Sequence, residues 1–387
     1  MSAFRDLFRV PSFAWLFGTS IIGRFPQGMV GLALMMLITQ TSSYAVFSAV
    51  SAATTAGAFI AGPALSRLAD ARGHRRVLQI SAVLHAGGTC ALALVPHDPP
   101  LLIAVAFLVG VSAPPLTASL RAVLPVLVGP DRRRSAYAME ATAQEITFVL
   151  GPPVAALASS LGGPRLAIFV AAAFVLAGTV GYARDRNAEL SRPPADRPRE
   201  ERAGLGAVLR IPGLARLLGG TALLTCALAA QVLGVAALVS GASVSADAGL
   251  VMAVGSLGSL VGGLLYGSVR RRAIQPRHLL LLVSTGLFVL ALAPDTGVLS
   301  VVLFLWGGTV APTMSRLFER LSELVPAGSA TEAFGWMGSA LAIGNAVGTL
   351  FAGLLVDGFG SHAALPAAAV IALLGALVVP PGGERPA

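Results

Sequence analysis

Two ionisable residues lie deep inside apolar runs, and chemistry is expected there first. Arg24 stands about eleven residues into the run from Phe13 to Ile38, and Glu145 about eleven past the arginine cluster ending at Arg134, so a helical rise of about 1.5 Å per residue puts both near the middle of a bilayer. A charge there costs about 2.5 to 3.5 kcal/mol on insertion scales, so charges that persist usually have a task. A guanidinium beside a carboxylate favours the ionised acid, and such a pair can hold and release a proton or meet an anionic group. The alternative is a structural ion pair that only locks its helices. Gln27, Gln231 and Asn345 are further polar positions in apolar runs, candidates for lining a cavity or for packing helices. Glu140 lies closer to the arginines and is expected to pair with Arg132, Arg133 or Arg134. His85 reads as a packed histidine.

Other chemistries are excluded by what the chain lacks. All 27 basic residues are arginine, so neither the lysine of a phosphate-binding G-x-x-x-x-G-K-[ST] loop nor a Schiff-base lysine is available. There is no G-x-S-x-G, H-E-x-x-H or clustered His/Asp constellation, which argues against a membrane enzyme. The two cysteines, Cys90 and Cys226, lie in apolar runs and are too few for a disulfide framework or a zinc site. No metal and no cofactor is expected. The net charge of +9 sits in short loops rather than along one face with interleaved aromatics, so no nucleic acid partner is expected either.

The elements that must position Arg24 and Glu145 follow from composition. With 55% hydrophobic and 12% charged residues among 387, the natural solvent of this chain is the lipid bilayer. Runs of membrane-crossing length read at Phe13 to Ile38, Tyr44 to Leu65, Val77 to Val95, Leu101 to Leu124, Ala136 to Ser159 and Leu166 to Tyr182. Six more read at Leu214 to Val239, Ala248 to Val269, Leu279 to Ala293, Val298 to Leu317, Ala333 to Val356 and Ala363 to Val379. The first run continues past Arg24 with no small-x-small cleavage site, so it reads as a membrane helix and not as a removed leader. Between the sixth and seventh runs, arginines, acids and prolines form a solvated linker. The expected organisation is an N-terminal six-helix bundle over 1–183, a linker over 184–212 and a C-terminal six-helix bundle over 213–387. This is an all-α membrane protein of twelve transmembrane helices.

Arginine placement sets the orientation, because cytoplasmic loops are the basic ones. The loops with Arg67, Arg72, Arg75 and Arg76, with Arg132 to Arg134, with Arg270 to Arg277 and with Arg316 and Arg320 fall on one side together with the linker. The opposite loops carry Asp98, Asp247, Asp295 and Asp357, with Arg165 as their only arginine. Both termini are therefore expected to be cytoplasmic, in a multi-pass protein of a bacterial cytoplasmic (inner) membrane. The halves also repeat. An offset of 197 aligns Phe107 with Phe304, Gly110 with Gly307, Pro115 with Pro312, Gly151 with Gly348 and Gly163 with Gly360. Copies of six spans keep the same orientation and are pseudo-symmetric about an axis along the membrane normal, enclosing a shared central site. The paired glycines Gly258/Gly262 and Gly344/Gly348 let helices approach closely, as static packing or as a sliding interface.

One loop carries a family signature. Ser66-Arg67-Leu68-Ala69-Asp70-Ala71-Arg72-Gly73-His74-Arg75-Arg76 resembles the G-x-L-a-D-r-x-G-r-[kr] loop of the major facilitator superfamily, with Leu68, Asp70, Gly73, Arg75 and Arg76 as its cytoplasmic gating residues. Ser66 and Ala71 depart from the pattern. Gly151-Pro152 is similar to the helix-bending motif of antiporter members. The resemblance implies a secondary transporter with alternating access, in which Asp70 latches the halves against the start of the eleventh span near Ser329 to Glu332. It implies a small-molecule substrate, protons as coupling ion and a monomer. It places the first and fifth spans in one half, which allows an Arg24 to Glu145 pair with Glu145 carrying the proton. Where drug:proton antiporters carry an arginine and a glutamine in the fourth span, this chain has Ala106 and Val109, so Arg24 or Arg121 substitutes or protons are not exchanged. Export of a small amphipathic organic compound by proton antiport is the leading expectation, and proton-coupled or facilitated uptake of a nutrient the alternative.

Overall fold

A computed structural model describes residues 2–38, 40, 42, 44–95, 98–191, 206–240, 246–268, 274–326, 329–359 and 361–380. Among them there is helix and no strand, as a chain immersed in hydrocarbon requires when each segment must satisfy its own backbone. A short α1 (Ser2–Leu7) precedes α2 (Phe13–Arg24) and α3 (Pro26–Ile38), which form one span broken where Pro26 lacks an N–H. Then follow α4 (Tyr44–Arg72), α5 (His74–Leu94), α6 (Pro99–Val111), α7 (Leu116–Val128) and α8 (Arg133–Arg184). The 52 residues of α8 are two spans, because Gly162 and Gly163 leave helical dihedrals and Gly163 takes φ +76°. The second half holds α9 (Leu214–Ser240), α10 (Ala246–Ser268), α11 (Pro276–Ala291), α12 (Thr296–Gly307), α13 (Val310–Leu324), α14 (Ala330–Phe359) and α15 (Ala364–Val378). Nine helical stretches among the described residues are long and apolar enough to cross a bilayer. One of them is the double span of α8, and α11 and α15 are shorter apolar helices, giving twelve spans in two halves.

Two details differ from the sequence reading. The fourth span pauses between Val111 and Leu116, at Pro114 and Pro115, and the tenth pauses at the equivalent place, between Gly307 and Val310. The tenth also continues past Leu317, so Arg316 and Arg320 lie on α13 rather than in a loop; Arg316 pairs there with Glu319 and Glu323, each at 3.0 Å. Of the expected linker, residues 192–205 lie outside those described, and 3-10 turns at Arg186–Glu189 and Ala207–Arg210 flank them.

The repeat reappears in the packing. A Cβ on Gly151 would run into Gly28 between the first and fifth spans, and one on Gly348 into Cys226 between the seventh and eleventh. A pair that the sequence comparison did not use obeys the same offset: Gly23 abuts Gly178, and Gly220 abuts Gly375. Gly258 and Gly262 face the backbone of Phe304 and Gly308, while Gly344 and Gly348 face Ala222 and Cys226. Both pairs thus close contacts within one half, which favours static packing. The glycines at the meeting of the halves are others: Gly263 against Thr142, Gly267 against Phe4 and Ala138, and Gly335 against Ser66.

Candidate functional site

The halves are joined toward the end that bears the arginine loops. Asp70, at the close of α4, accepts the backbone N–H of Glu332 in the first turn of α14 at 2.9 Å, so a buried carboxylate sits on the positive end of that helix. Arg67 lies 3.9 Å from the carboxylate of Glu332, which also accepts the N–H of Gly206 at 2.9 Å. His74, fully buried, gathers four elements: Nδ1 meets Ser119 Oγ at 3.0 Å, and Nε2 lies 3.5 Å from Asp70, 3.2 Å from Ser191 Oγ and 3.4 Å from Thr331 Oγ1. Gly73 supports this turn with φ +100°, a conformation that suits glycine. Glu189 caps the start of α5 by accepting the N–H groups of His74 and Arg75. Leu68 is half-buried, and Arg75 and Arg76 are exposed.

Asp70→Asn keeps the shape of this latch and removes its charge. A charge-assisted hydrogen bond is worth about 1.5 to 3 kcal/mol, so the latched state should lose roughly tenfold or more of its population. Alkylation of Ser191→Cys, buried in the latched state, should then speed up by about the same factor.

Deeper in the N-terminal half, α2, α7 and α8 hold a buried triad. Glu140 has no exposed surface, and its Oε1 accepts from Arg24 at 2.6 Å and from Arg121 at 3.0 Å. Arg24 also donates to Gln144 at 3.3 Å, and Gln144 donates to the exposed Gln27 at 3.1 Å, so bonds lead from the triad to the protein surface. Glu140 and Gln144 share a face of α8 because they are four residues apart. Glu140, expected to pair with Arg132 to Arg134, instead bonds Arg24 and Arg121. Of Glu145 the backbone lies in α8, and its side chain is outside the described residues. Arg121 reaches across to the other half, its guanidinium 3.7 Å from the centre of the Phe318 ring, a cation–π contact. Phe318 packs with Tyr137 and Phe334, and the Tyr137 hydroxyl donates to the carbonyl of Arg121 at 2.8 Å.

The C-terminal half holds an apolar cavity. The cavity, of about 190 Å³ between α9, α10 and α12, is lined by Leu228, Met252, Leu303 and Trp306 together with Gln231 and Ser259. Asn345 is exposed on α14. Gly151 holds the crossing with Gly28, and the backbone stays helical through Pro152, with non-helical dihedrals in α8 only at Gly162 and Gly163. His85 bonds the carbonyl of Val109 at 2.9 Å and packs the third span on the fourth.

Two six-helix halves latched together at one end, one with a buried charged triad and the other with an apolar cavity, are the architecture of a membrane transporter rather than an enzyme. A sequence profile described as Major Facilitator Superfamily matches residues 16–338, and the chain belongs to that superfamily. The enterobactin exporter EntS of Shigella boydii serotype 4 (strain Sb227) is 28% identical over 325 residues, covering 78% of this chain and 75% of the exporter. The human organic anion transporter MFSD10 (TETRAN) superposes with a TM-score of 0.73 at 17% identity, covering 97% of this chain and 99% of that one. A bacterial homologue of the iron transporter ferroportin in its outward-facing state gives a TM-score of 0.70 at 15% identity, with 94% and 98% covered.

Proposed function

We propose that this transporter exports a small amphipathic organic compound in exchange for protons, with the two halves rocking about the cleft. The observation that carries the reading is the triad: a fully buried carboxylate, bonded to two arginines and linked through Gln144 to the exposed Gln27, is a place where a proton can bind and leave. We assign the proton to Glu140, with Glu145 as the other acid of the same helix. Gln27, Gln231 and Asn345 are assigned to the substrate path. The basic loops mark the latched end and both termini as cytoplasmic, so the described state faces outward. Export is supported by the similarity to an exporter and by the Gly151-Pro152 pair. With no P-loop lysine, uphill movement draws on an ion gradient, and one proton entering at 100 mV supplies about 2.3 kcal/mol from the potential alone.

The test is counterflow. Liposomes containing the protein, with an imposed pH gradient, should move candidate amphipathic compounds opposite to the protons, and a protonophore should abolish that movement. Movement in the same direction as the protons, or equal flux without a gradient, contradicts the reading.

A further inference from the structure

At the end that bears the arginine loops, the seam between α8 and α10 is closed by contacts from both halves. The Arg134 guanidinium stacks on the Tyr266 ring at 3.7 Å, and Ser135 Oγ donates to the carbonyl of Gly267 at 2.7 Å. The short helix α1 joins them: a Cβ on Gly267 would run into the Phe4 ring and into Ala138. The far end of α1 is fastened to the N-terminal half. Leu7 is fully buried in one core with Phe13 and Leu16, and Ser12, at φ +63°, accepts from Asn187 at 2.8 Å. Phe4 and Leu7, three residues apart, thus share the inward face of α1. The outward side carries Arg5, with Phe8 and Arg9 in the turn that continues the helix. Phe8 is 55% exposed, and the Arg9 side chain, 3.2 Å from Asp6, is 68% exposed. In the first turn of α2, Trp15 is also exposed and donates Nε1 to the carbonyl of Gly181, as an indole at headgroup level does. Arginines beside an exposed aromatic ring make an interfacial anchor, because the ring enters the acyl boundary while the guanidinium groups meet phosphate.

We propose that α1 is a strap across this seam whose outward side binds anionic phospholipid headgroups, and that the bound lipid holds the arginine-loop end of the transporter shut. Six residues do not keep a helix on their own. The outward face therefore exists only while Phe4 and Leu7 are seated. When the seam opens, Gly267 leaves Phe4 and the strap loses its hold on the C-terminal half. A lipid that binds the seated face better than the loosened segment shifts the molecule toward the closed state by that difference in affinity. Zwitterionic headgroups carry no net charge and give Arg5 and Arg9 no such advantage. The effect is independent of what is carried and of the coupling ion.

The full chain in nanodiscs tests this, with Cys90→Ala and Cys226→Ala and a single new thiol at Ser66→Cys. Ser66 is 1% exposed and lies against Gly335, between α4 and α14, so fraying of α1 alone does not uncover it. Alkylation by N-ethylmaleimide, an uncharged reagent, is followed in discs of phosphatidylcholine and in discs of phosphatidylcholine mixed with phosphatidylglycerol. Each rate is divided by that of the exposed Arg72→Cys in the same discs, which removes the effect of surface charge on the thiol itself. Phosphatidylglycerol should slow Ser66→Cys by about fivefold or more, fivefold being the worth of one arginine at an anionic surface. High salt should erase that slowing. In an Arg5→Gln/Arg9→Gln chain both kinds of disc should give one rate, that of the unsubstituted strap in phosphatidylcholine. Phe4→Ala should be fast in both, and Phe4→Leu, which keeps an apolar wedge, should be slow again. Equal rates in the two kinds of disc for the unsubstituted strap, a phosphatidylglycerol effect that survives the loss of both arginines, or a Phe4→Ala chain as slow as the unsubstituted one each overturns the proposal.

Discussion

Glu140→Gln should abolish proton-driven transport, lowering the gradient-dependent rate by about 100-fold or more, since a general proton carrier is lost outright. The same substitution should also weaken the fold. Arg24 and Arg121 are 2% and 5% exposed, and removing their common carboxylate leaves two guanidinium groups without a counter-charge. Breaking a buried pair from one side typically costs about 3 to 5 kcal/mol, because the remaining charge is uncompensated. Glutamine still offers an acceptor oxygen, so its cost should fall at the low end and that of Glu140→Ala at the high end. The double variant Arg24→Gln/Glu140→Gln returns the cluster to a single positive charge and should regain part of the lost thermal stability without regaining transport. That separation of stability from function, measured as a double-mutant cycle, distinguishes a proton site from a structural lock.

Gly110→Val should yield little or no folded protein. A Cβ at Gly110 would collide with the carbonyl of Thr54, and backbone cannot yield as a flexible side chain can. Overpacking a well-filled contact costs about 1 to 3 kcal/mol, and here the second and fourth spans must separate, so the loss should exceed about 3 kcal/mol. Gly307→Val, at the equivalent place against Gly255, should behave alike. Gly31→Ala meets open space and should be neutral or slightly stabilising, since alanine favours helix over glycine by up to about 1 kcal/mol. Thermal midpoints and monodisperse yield in detergent read all three.

The spans, the halves and the superfamily were legible because each depends on run length, arginine placement or a short motif, properties of a linear string. The triad was legible only in part. Arg24 stood out by depth, but depth does not tell which way a side chain points, and in so uniformly apolar a helix the 3.6-residue period barely resolves a face. Counting along α8 singled out Glu145, whose side chain lies outside the described residues; the signal for Glu140 was its four-residue spacing from Gln144, which puts two polar groups on one face. Arg121 was considered only as a substitute for a missing arginine, because nothing local shows that Phe318, nearly two hundred residues on, lies under it. Glu189 at the start of α5 could not be anticipated either, since it arrives from the far end of the half.

Rocking of the halves is tested most directly by distances between spin labels at the two ends of the cleft. With Cys90 and Cys226 replaced by alanine, one pair would carry labels at exposed Leu161 and Phe359, at the end away from the arginine loops, and another at exposed Arg72 and His278 near them. Between acidic and alkaline buffer, and on introducing Asp70→Asn, one distance should shorten as the other lengthens. Two distances that stay fixed, or that change in the same sense, would contradict it.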